Sequence, residues 1–220
     1  SRLSSLNDMM EVTTKLLVFD ADNGDQLEHL SFLVKSLERS GASAIIIEDK
    51  VGLKKNSLFK NQSGVKQDKV SLFANKIRKI CQKRTSNDFM VIARIESFIL
   101  GKGLNDALKR AESYSKAGAD AILIHSKEKT PKEIFMFAKR FKKSKFFKPL
   151  VAVPSTYSNV YEKDLIRHNF KIVIYANQLL RAAYPAMTDV AKTILKNQRA
   201  YEADKKIISI NDIINLVKND

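Results

Sequence analysis

The sequence predicts an α/β fold, a (β/α)8 TIM-type barrel of which about six of the eight βα units lie within the 220 residues. Three observations carry this expectation. Six apolar, mostly β-branched runs recur at residues 15–20, 44–48, 89–95, 121–125, 150–154 and 171–175. Amphipathic stretches separate most of them, the pattern of a parallel sheet with right-handed crossovers. Polar residues collect where the runs end: Asp20 and Asp22, Glu48 and Asp49, Arg94 and Glu96, His125, Ser155 and Thr156, and Asn177. Tips converging in succession on one mouth suit a barrel better than a doubly wound sheet, which concentrates its site at one switch point.

The elements follow in order. After the first run, Leu27, Leu30, Leu33, Val34 and Leu37 share one helical face, and Gly41 stands where a left-handed C-cap favours glycine. The second run is Ala-Ile-Ile-Ile capped by Glu48. A polar connection at residues 50–69 follows, longer than any other, as expected of a lid over strand tips. The next helix carries Leu72, Phe73 and Ile80. Cys81 lies beside Val70, Phe73 and Ile77 on its face and reads as a small buried hydrophobe. Leu104, Ala107, Leu108, Ala111 and Ala117 make another face, closed by Gly118. Residues 41–48 and 118–125 echo each other, one βα unit used twice. Thr130-Pro131-Lys132-Glu133 reads as a capping box with proline at the first helical position. Residues 209–212 open a short final helix bearing Ile213, Ile214 and Val217.

Hydrophobic residues make up 44% of the chain, enough for one substantial core. No apolar run approaches the roughly 20 residues that span a bilayer, and no secretory leader is visible, so a cytoplasmic protein is expected. A single cysteine excludes an internal disulfide and agrees with a reducing compartment. The chain opens on Ser1 rather than Met, which suggests a piece of a longer protein or a processed chain. Net charge is +15, densest across residues 127–148. There Ile134, Phe137, Ala138 and Phe141 keep helical spacing, so the interleaved lysines form a solvated helix face. A nucleic-acid site is not expected, because no reading motif accompanies the charge. Basicity would still attract a small anionic substrate.

Asp20, Asp22 and Glu48 on neighbouring tips are hard oxygen donors suited to Mg²⁺ or Mn²⁺; the plainer alternative is acids in βα turns. Arg94 interrupts an otherwise apolar strand. It is either paired structurally with Glu96 or placed to stabilise an enolate or phosphoryl oxygen. His125 sits at another tip as a donor to an anion, whereas His29 and His168 lie on or near helices. A lysine- and asparagine-bearing lid above such a base suggests a phosphorylated or dicarboxylate-like substrate shielded from water.

These residues resemble those of the phosphoenolpyruvate mutase family, in the isocitrate lyase/phosphoenolpyruvate mutase superfamily. The loop signature E-D-K-x-x-x-K-x-N-S is met by Glu48, Asp49, Lys50, Lys54, Asn56 and Ser57. The motif D-G-D-x-G appears from Asp20 to Gly24 with Ala21 replacing glycine. Residues 93–98, 118–121, 125–127 and 153–157 are similar to further family segments in family order. The resemblance implies an isomerase that interconverts phosphoenolpyruvate and phosphonopyruvate in phosphonate biosynthesis. It assigns Asp20, Asp22 and Glu48 to a Mg²⁺ site (Mn²⁺ being acceptable) for the pyruvyl enolate and carboxylate. Arg94 and His125 would steady the enolate and the phosphoryl group, with Lys54, Asn56 and Ser57 closing over the latter. It also implies a homo-oligomer with exchanged C-terminal helices, from about residue 178 onward.

The nearest alternatives are phosphonopyruvate hydrolase, which typically carries threonine where this chain has Asn56, and the carbon–carbon lyases. The lyases place a catalytic cysteine in this loop, and residues 50–65 contain none. Family members carry two further βα units and a W-G-S-G-type substrate loop ahead of the first run here, and Asn177-Gln178 departs from a common Asn-His. The expectation is therefore the C-terminal portion of a longer mutase, weak or inactive alone. A retired scaffold domain is the non-enzymatic alternative, and the retained acids, Arg94 and His125 argue against it.

Overall fold

A computed structural model describes residues 2–24, 26–52, 55–59 and 61–216. It divides into two compact units, Ser1–Ile174 and Tyr175–Asp220.

In the first unit, α1 (Arg2–Glu11) precedes β1 (Val18–Asp20), α2 (Leu27–Arg39) and β2 (Ala44–Glu48). Two short strands, β3 (Lys50–Val51) and β4 (Lys66–Gln67), precede α3 (Val70–Lys83) and β5 (Met90–Ile95). Then come α4 (Gly103–Lys116), β6 (Ala121–Ile124), α5 (Lys132–Phe141), β7 (Leu150–Ala152), α6 (Glu162–Arg167) and β8 (Phe170–Val173). Six strands form one parallel sheet in the order β1-β2-β5-β6-β7-β8. Each strand lies beside the next of the series, with no reversal of order, so the sheet is singly wound like a barrel wall and has no switch point. The first strand is shorter than its apolar run. It forms one edge of the sheet, and Leu16 and Val18 there are exposed.

Strand alternation sorts the sheet into two faces. Ile45, Ile47, Val91, Ala93, Ile95, Ile122 and Ile124 point to the helices and join the main core. The helices answer at their own period: Leu30, Val34 and Leu37 on α2, and Phe73, Ile77 and Ile80 on α3. On α4 the buried side chains include Ala107, Ala111 and Tyr114, and on α5 they are Ile134, Phe137, Ala138 and Phe141. The opposite face holds a smaller cluster of Ala44, Ile46, Ile92, Ala121, Leu123 and Val151. It is this second face whose continuation carries the polar tips.

Two glycines act as expected. Gly41 (φ +81°) and Gly118 (φ +112°) follow α2 and α4 in left-handed conformations. The capping box does not form. Helix α5 begins at Lys132 with Pro131 as its N-cap and no side-chain cap, because Glu133 instead accepts a short hydrogen bond from the Ser126 hydroxyl. The connection after β2 is not pure loop, since β3 and β4 pair antiparallel at its two ends. The basic residues Lys129, Lys132, Lys139, Arg140, Lys142 and Lys143 are exposed, as a solvated face requires. His168 stacks on Phe135 at 3.8 Å, a structural use.

In the second unit, α7 (Gln178–Asn197) is followed by a 3-10 helix (Tyr201–Lys206) and α8 (Ile210–Leu216). The Lys206 ammonium returns to α7, donating to Asp189 Oδ2 (2.7 Å) and Thr193 Oγ1 (3.0 Å). The Ser209 hydroxyl accepts the Asp212 amide at 3.0 Å, opening α8 as expected.

Candidate active site

Glu48 ends β2 on the face of Ala44 and Ile46, Arg94 lies on β5 on the face of Ile92, and His125 follows β6 on the face of Ala121 and Leu123. The three side chains therefore meet at the sheet's C-terminal edge. Arg94 Nη2 stands 3.2 Å from Glu48 Oε2 and 2.9 Å from His125 Nδ1, and its Nε donates to Glu96 Oε1 at 2.7 Å. Glu96 is wholly buried, and its Oε1 also lies 2.9 Å from His125 Nδ1.

The segment after β2 folds onto this cluster. The Ser57 hydroxyl donates to Glu96 Oε2 (2.6 Å) and accepts from Lys50 Nζ (2.8 Å) and Arg94 Nη2 (2.9 Å). Lys50 also stands 3.4 Å from both Glu48 and Glu96 and donates to the Lys55 carbonyl at 3.0 Å. Two buried acids thus face two cations, with a serine at their centre. With its proton already engaged and both cations donating to it, Ser57 is built as a latch rather than a nucleophile.

Electrostatics follow from burial and pairing. Burial would raise the Glu96 carboxyl, but its hydrogen bond to His125 and the charges of Arg94 and Lys50 win and hold it far below the usual carboxylate range. Burial, with Glu96 as a like charge, lifts Glu48 above its ordinary value despite Arg94 and Lys50. Burial also lowers His125, with the Arg94 charge adding to the effect, so its imidazole is neutral near pH 7. Its Nδ1 faces an arginine donor and a carboxylate acceptor, and one tautomer can satisfy only one of them. For Arg94, burial is outweighed by Glu96 and Glu48, with Asp20 contributing, and the guanidinium stays cationic.

The other expected residues stand differently. The Asp22 carbonyl accepts the Glu48 amide at 2.6 Å, tying the first two strand ends together. Its carboxylate, however, pairs with Arg2 Nη2 at 2.9 Å, while Arg2 Nη1 donates to the Asp20 carbonyl. Among the described residues no three Asp, Glu, His or Cys side chains stand close enough to hold a metal directly. In chemistry the set still fits a hard cation. Asp20, Asp22 and Glu48 are oxygen donors on adjacent tips, and magnesium typically takes one or two carboxylates and fills its octahedron with water. Asn56 is exposed, and its Oδ1 accepts the Leu58 amide at 2.9 Å, so it is not part of the cluster. Lys54 lies outside the described residues.

Two members escaped the sequence reading. Glu96 was legible only as a partner of Arg94, although its two-residue spacing from Arg94 puts both on one face. Lys50 stood in the loop signature without an assigned role.

A parallel, singly wound α/β sheet with a buried charged cluster at its strand tips defines a barrel-type enzyme site. The comparisons narrow the class. Residues 1–195 match the model of the family described as phosphoenolpyruvate phosphomutase. Phosphoenolpyruvate phosphomutase of Tetrahymena pyriformis is 34% identical over 99% of this chain and 72% of its own length. Phosphonopyruvate hydrolase of a Variovorax species is 38% identical over 91% of this chain and 68% of its own. Among solved structures, phosphoenolpyruvate phosphomutase from Streptomyces platensis subsp. rosaceus superposes with a TM-score of 0.90 at 33% identity, covering 97% of this chain and 73% of that one. Phosphonopyruvate hydrolase in complex with oxalate and Mg²⁺ gives 0.86 at 35% identity, covering 97% and 72%. The chain belongs to the phosphoenolpyruvate phosphomutase family, within the superfamily that also contains phosphonopyruvate hydrolase.

Proposed function

We propose that the protein interconverts phosphoenolpyruvate and phosphonopyruvate, as a step of phosphonate biosynthesis. The observation that carries this reading is the buried cluster of Glu48, Lys50, Ser57, Arg94, Glu96 and His125, in which one lid side chain bridges acids and cations from separate strand ends. In the forward direction the bond from phosphorus to the enol oxygen breaks and a bond from phosphorus to C3 forms. No proton or water is consumed. A loose, metaphosphate-like transition state then demands positioning and charge rather than a strong base. Arg94, held cationic, and His125, donating from Nε2 in the tautomer whose Nδ1 accepts from Arg94, would stabilise charge on the enolate and transferring phosphoryl oxygens. Lys54, Asn56 and Ser57 would close over the phosphoryl group, with Ser57 exchanging its present partners for a phosphoryl oxygen. Asp20, Asp22 and Glu48 would hold Mg²⁺, or Mn²⁺ in its place, which supplies Lewis-acid charge beside the pyruvyl oxygens. Closure keeps water from capturing the phosphoryl group.

Phosphonopyruvate hydrolysis is the second reading, favoured by the higher identity to the hydrolase relative. Asn56, where hydrolases typically carry threonine, supports the first. Phosphorus NMR separates them: phosphonopyruvate incubated with Mg²⁺ and the full-length protein should yield phosphoenolpyruvate, and accumulation of free phosphate alone would establish the hydrolase instead.

The proposal extends to a cytoplasmic homo-oligomer that exchanges its C-terminal helices. In support, α7 buries none of its residues although it carries Leu179, Leu180, Tyr184, Met187 and Leu195, and no helix among the described residues could cross a membrane. Sedimentation equilibrium should give a dimer or larger; a monomer at micromolar concentration would end that part.

A further inference from the structure

Consecutive residues at the end of a strand point to opposite faces. Glu48 turns to the mouth, so Asp49 turns to the helices, where it is wholly buried. Its Oδ2 accepts from Gln67 Nε2 (2.9 Å), Arg110 Nη1 (3.1 Å) and the Tyr114 hydroxyl (2.8 Å). Its Oδ1 accepts the Glu96 amide at 2.9 Å, and its carbonyl accepts the Asp68 amide at 2.8 Å. Arg110 Nη1 also donates to the Asp68 carbonyl at 2.9 Å, and Gln67 reaches Ser97 Oγ at 3.0 Å. One carboxylate therefore stands at the start of the 50–68 segment and grips its exit. A cavity of about 760 Å³ flanks that exit, lined in part by Lys66, Asp68, Lys69 and Lys102, and the β3–β4 pairing is its other tie.

We propose that Asp49, acting through Gln67, Arg110 and Tyr114, is the positioning residue of the lid. The hub clamps both feet of the segment to α4 and to the Glu96 backbone, and so fixes where Lys50 and Ser57 arrive over Glu48, Glu96 and Arg94. It touches no reacting atom. The inference rests on the mutase reading only where turnover is measured; the grip on the segment stands without it.

The test uses Gln67→Ala and Tyr114→Phe, each of which removes one donor to Asp49 and spares the mouth. The segment offers trypsin Lys54, Lys55, Lys60 and Lys66. Losing one such hydrogen bond should raise the open population, and so cleavage within 53–66, by about fivefold to tenfold. Cleavage at Lys142 and Lys143 should stay as it is, while the melting temperature falls by only about 2–4 °C. In turnover, a loosened lid should let water compete, raising free phosphate per phosphonopyruvate consumed, an effect a merely structural contact would not produce. Unchanged lid cleavage in both variants, or acceleration shared equally with Lys142 and Lys143, overturns the inference. If the unaltered protein releases only phosphate, the mutase reading fails while the cleavage result still decides the role of Asp49.

Discussion

Replacing Glu96 by glutamine tests the centre of the cluster with almost no change in shape. The carboxylate is wholly buried and holds Arg94 Nε at 2.7 Å, the Ser57 hydroxyl at 2.6 Å and His125 Nδ1 at 2.9 Å, with Lys50 at 3.4 Å. Glutamine keeps one acceptor oxygen but turns an NH₂ toward groups that are themselves donors. A hydrogen bond to a charged group contributes about 1.5–3 kcal/mol, and removing one partner of a buried ion pair costs about 3–5 kcal/mol. With one acceptor retained, the expected loss is about 3 kcal/mol, or a fall in Tm of roughly 6–12 °C. The sign with pH is fixed by the low carboxyl pKa of the folded state. Such a group contributes fully above its unfolded value and loses that contribution as pH falls toward the folded one. Urea unfolding of Glu96→Gln should therefore show its largest deficit at pH 7, narrowing by about 1 kcal/mol at pH 3.5. A deficit under about 1 kcal/mol at pH 7, or one indifferent to acid, would refute the reasoning that charge pairing holds this cluster together.

Mg²⁺ at a hundred times its dissociation constant should stabilise the unaltered protein by about 2.7 kcal/mol, and Asp20→Ala or Glu48→Gln should abolish that shift in a thermal melt. Equal shifts in the variants would remove these acids from the metal site. Asn56→Thr should move the product of phosphonopyruvate turnover toward free phosphate by phosphorus NMR; an unchanged product would mean that this position does not set the reaction. Gly118→Ala should cost about 1–2 kcal/mol, because φ is +112° and the new Cβ would lie 3.0 Å from Cys81 Sγ. Adding Cys81→Ala should restore only the steric share, measured as a double-mutant cycle in denaturant.

The six strands were legible because each is a short β-branched run, and a buried parallel strand needs little else. Helices α2 to α5 were legible because their apolar residues repeat every three or four positions and land on one core, whereas α1, equal to α5 in length but burying only Leu6, was not. Local hydrogen-bond chemistry was less secure. The residues of a capping box stand before α5, yet Ser126 took Glu133, a competition decided by a neighbour six residues upstream of the helix. The hairpin ends of the lid were invisible because Lys50–Val51 and Lys66–Gln67 are two-residue, mostly polar strands with no apolar run to mark them, and they pair only once both feet are brought together.

By itself, the sequence determined that polar residues crown the strands, that Glu48, Arg94 and His125 are among them, and to which family their spacing belongs. Periodicity and adjacency are local properties, and one chain displays them without folding. Only the tertiary structure decided what those crowns touch. Ser57 reaches Glu96 across 39 positions and Arg110 reaches Asp49 across 61, so a latch over the mouth and a clamp behind it exist only where the sheet brings distant segments within hydrogen-bonding distance. Hydrogen bonds act over about 3 Å, and no spacing along the chain encodes a contact that the packing of helices against strands must create.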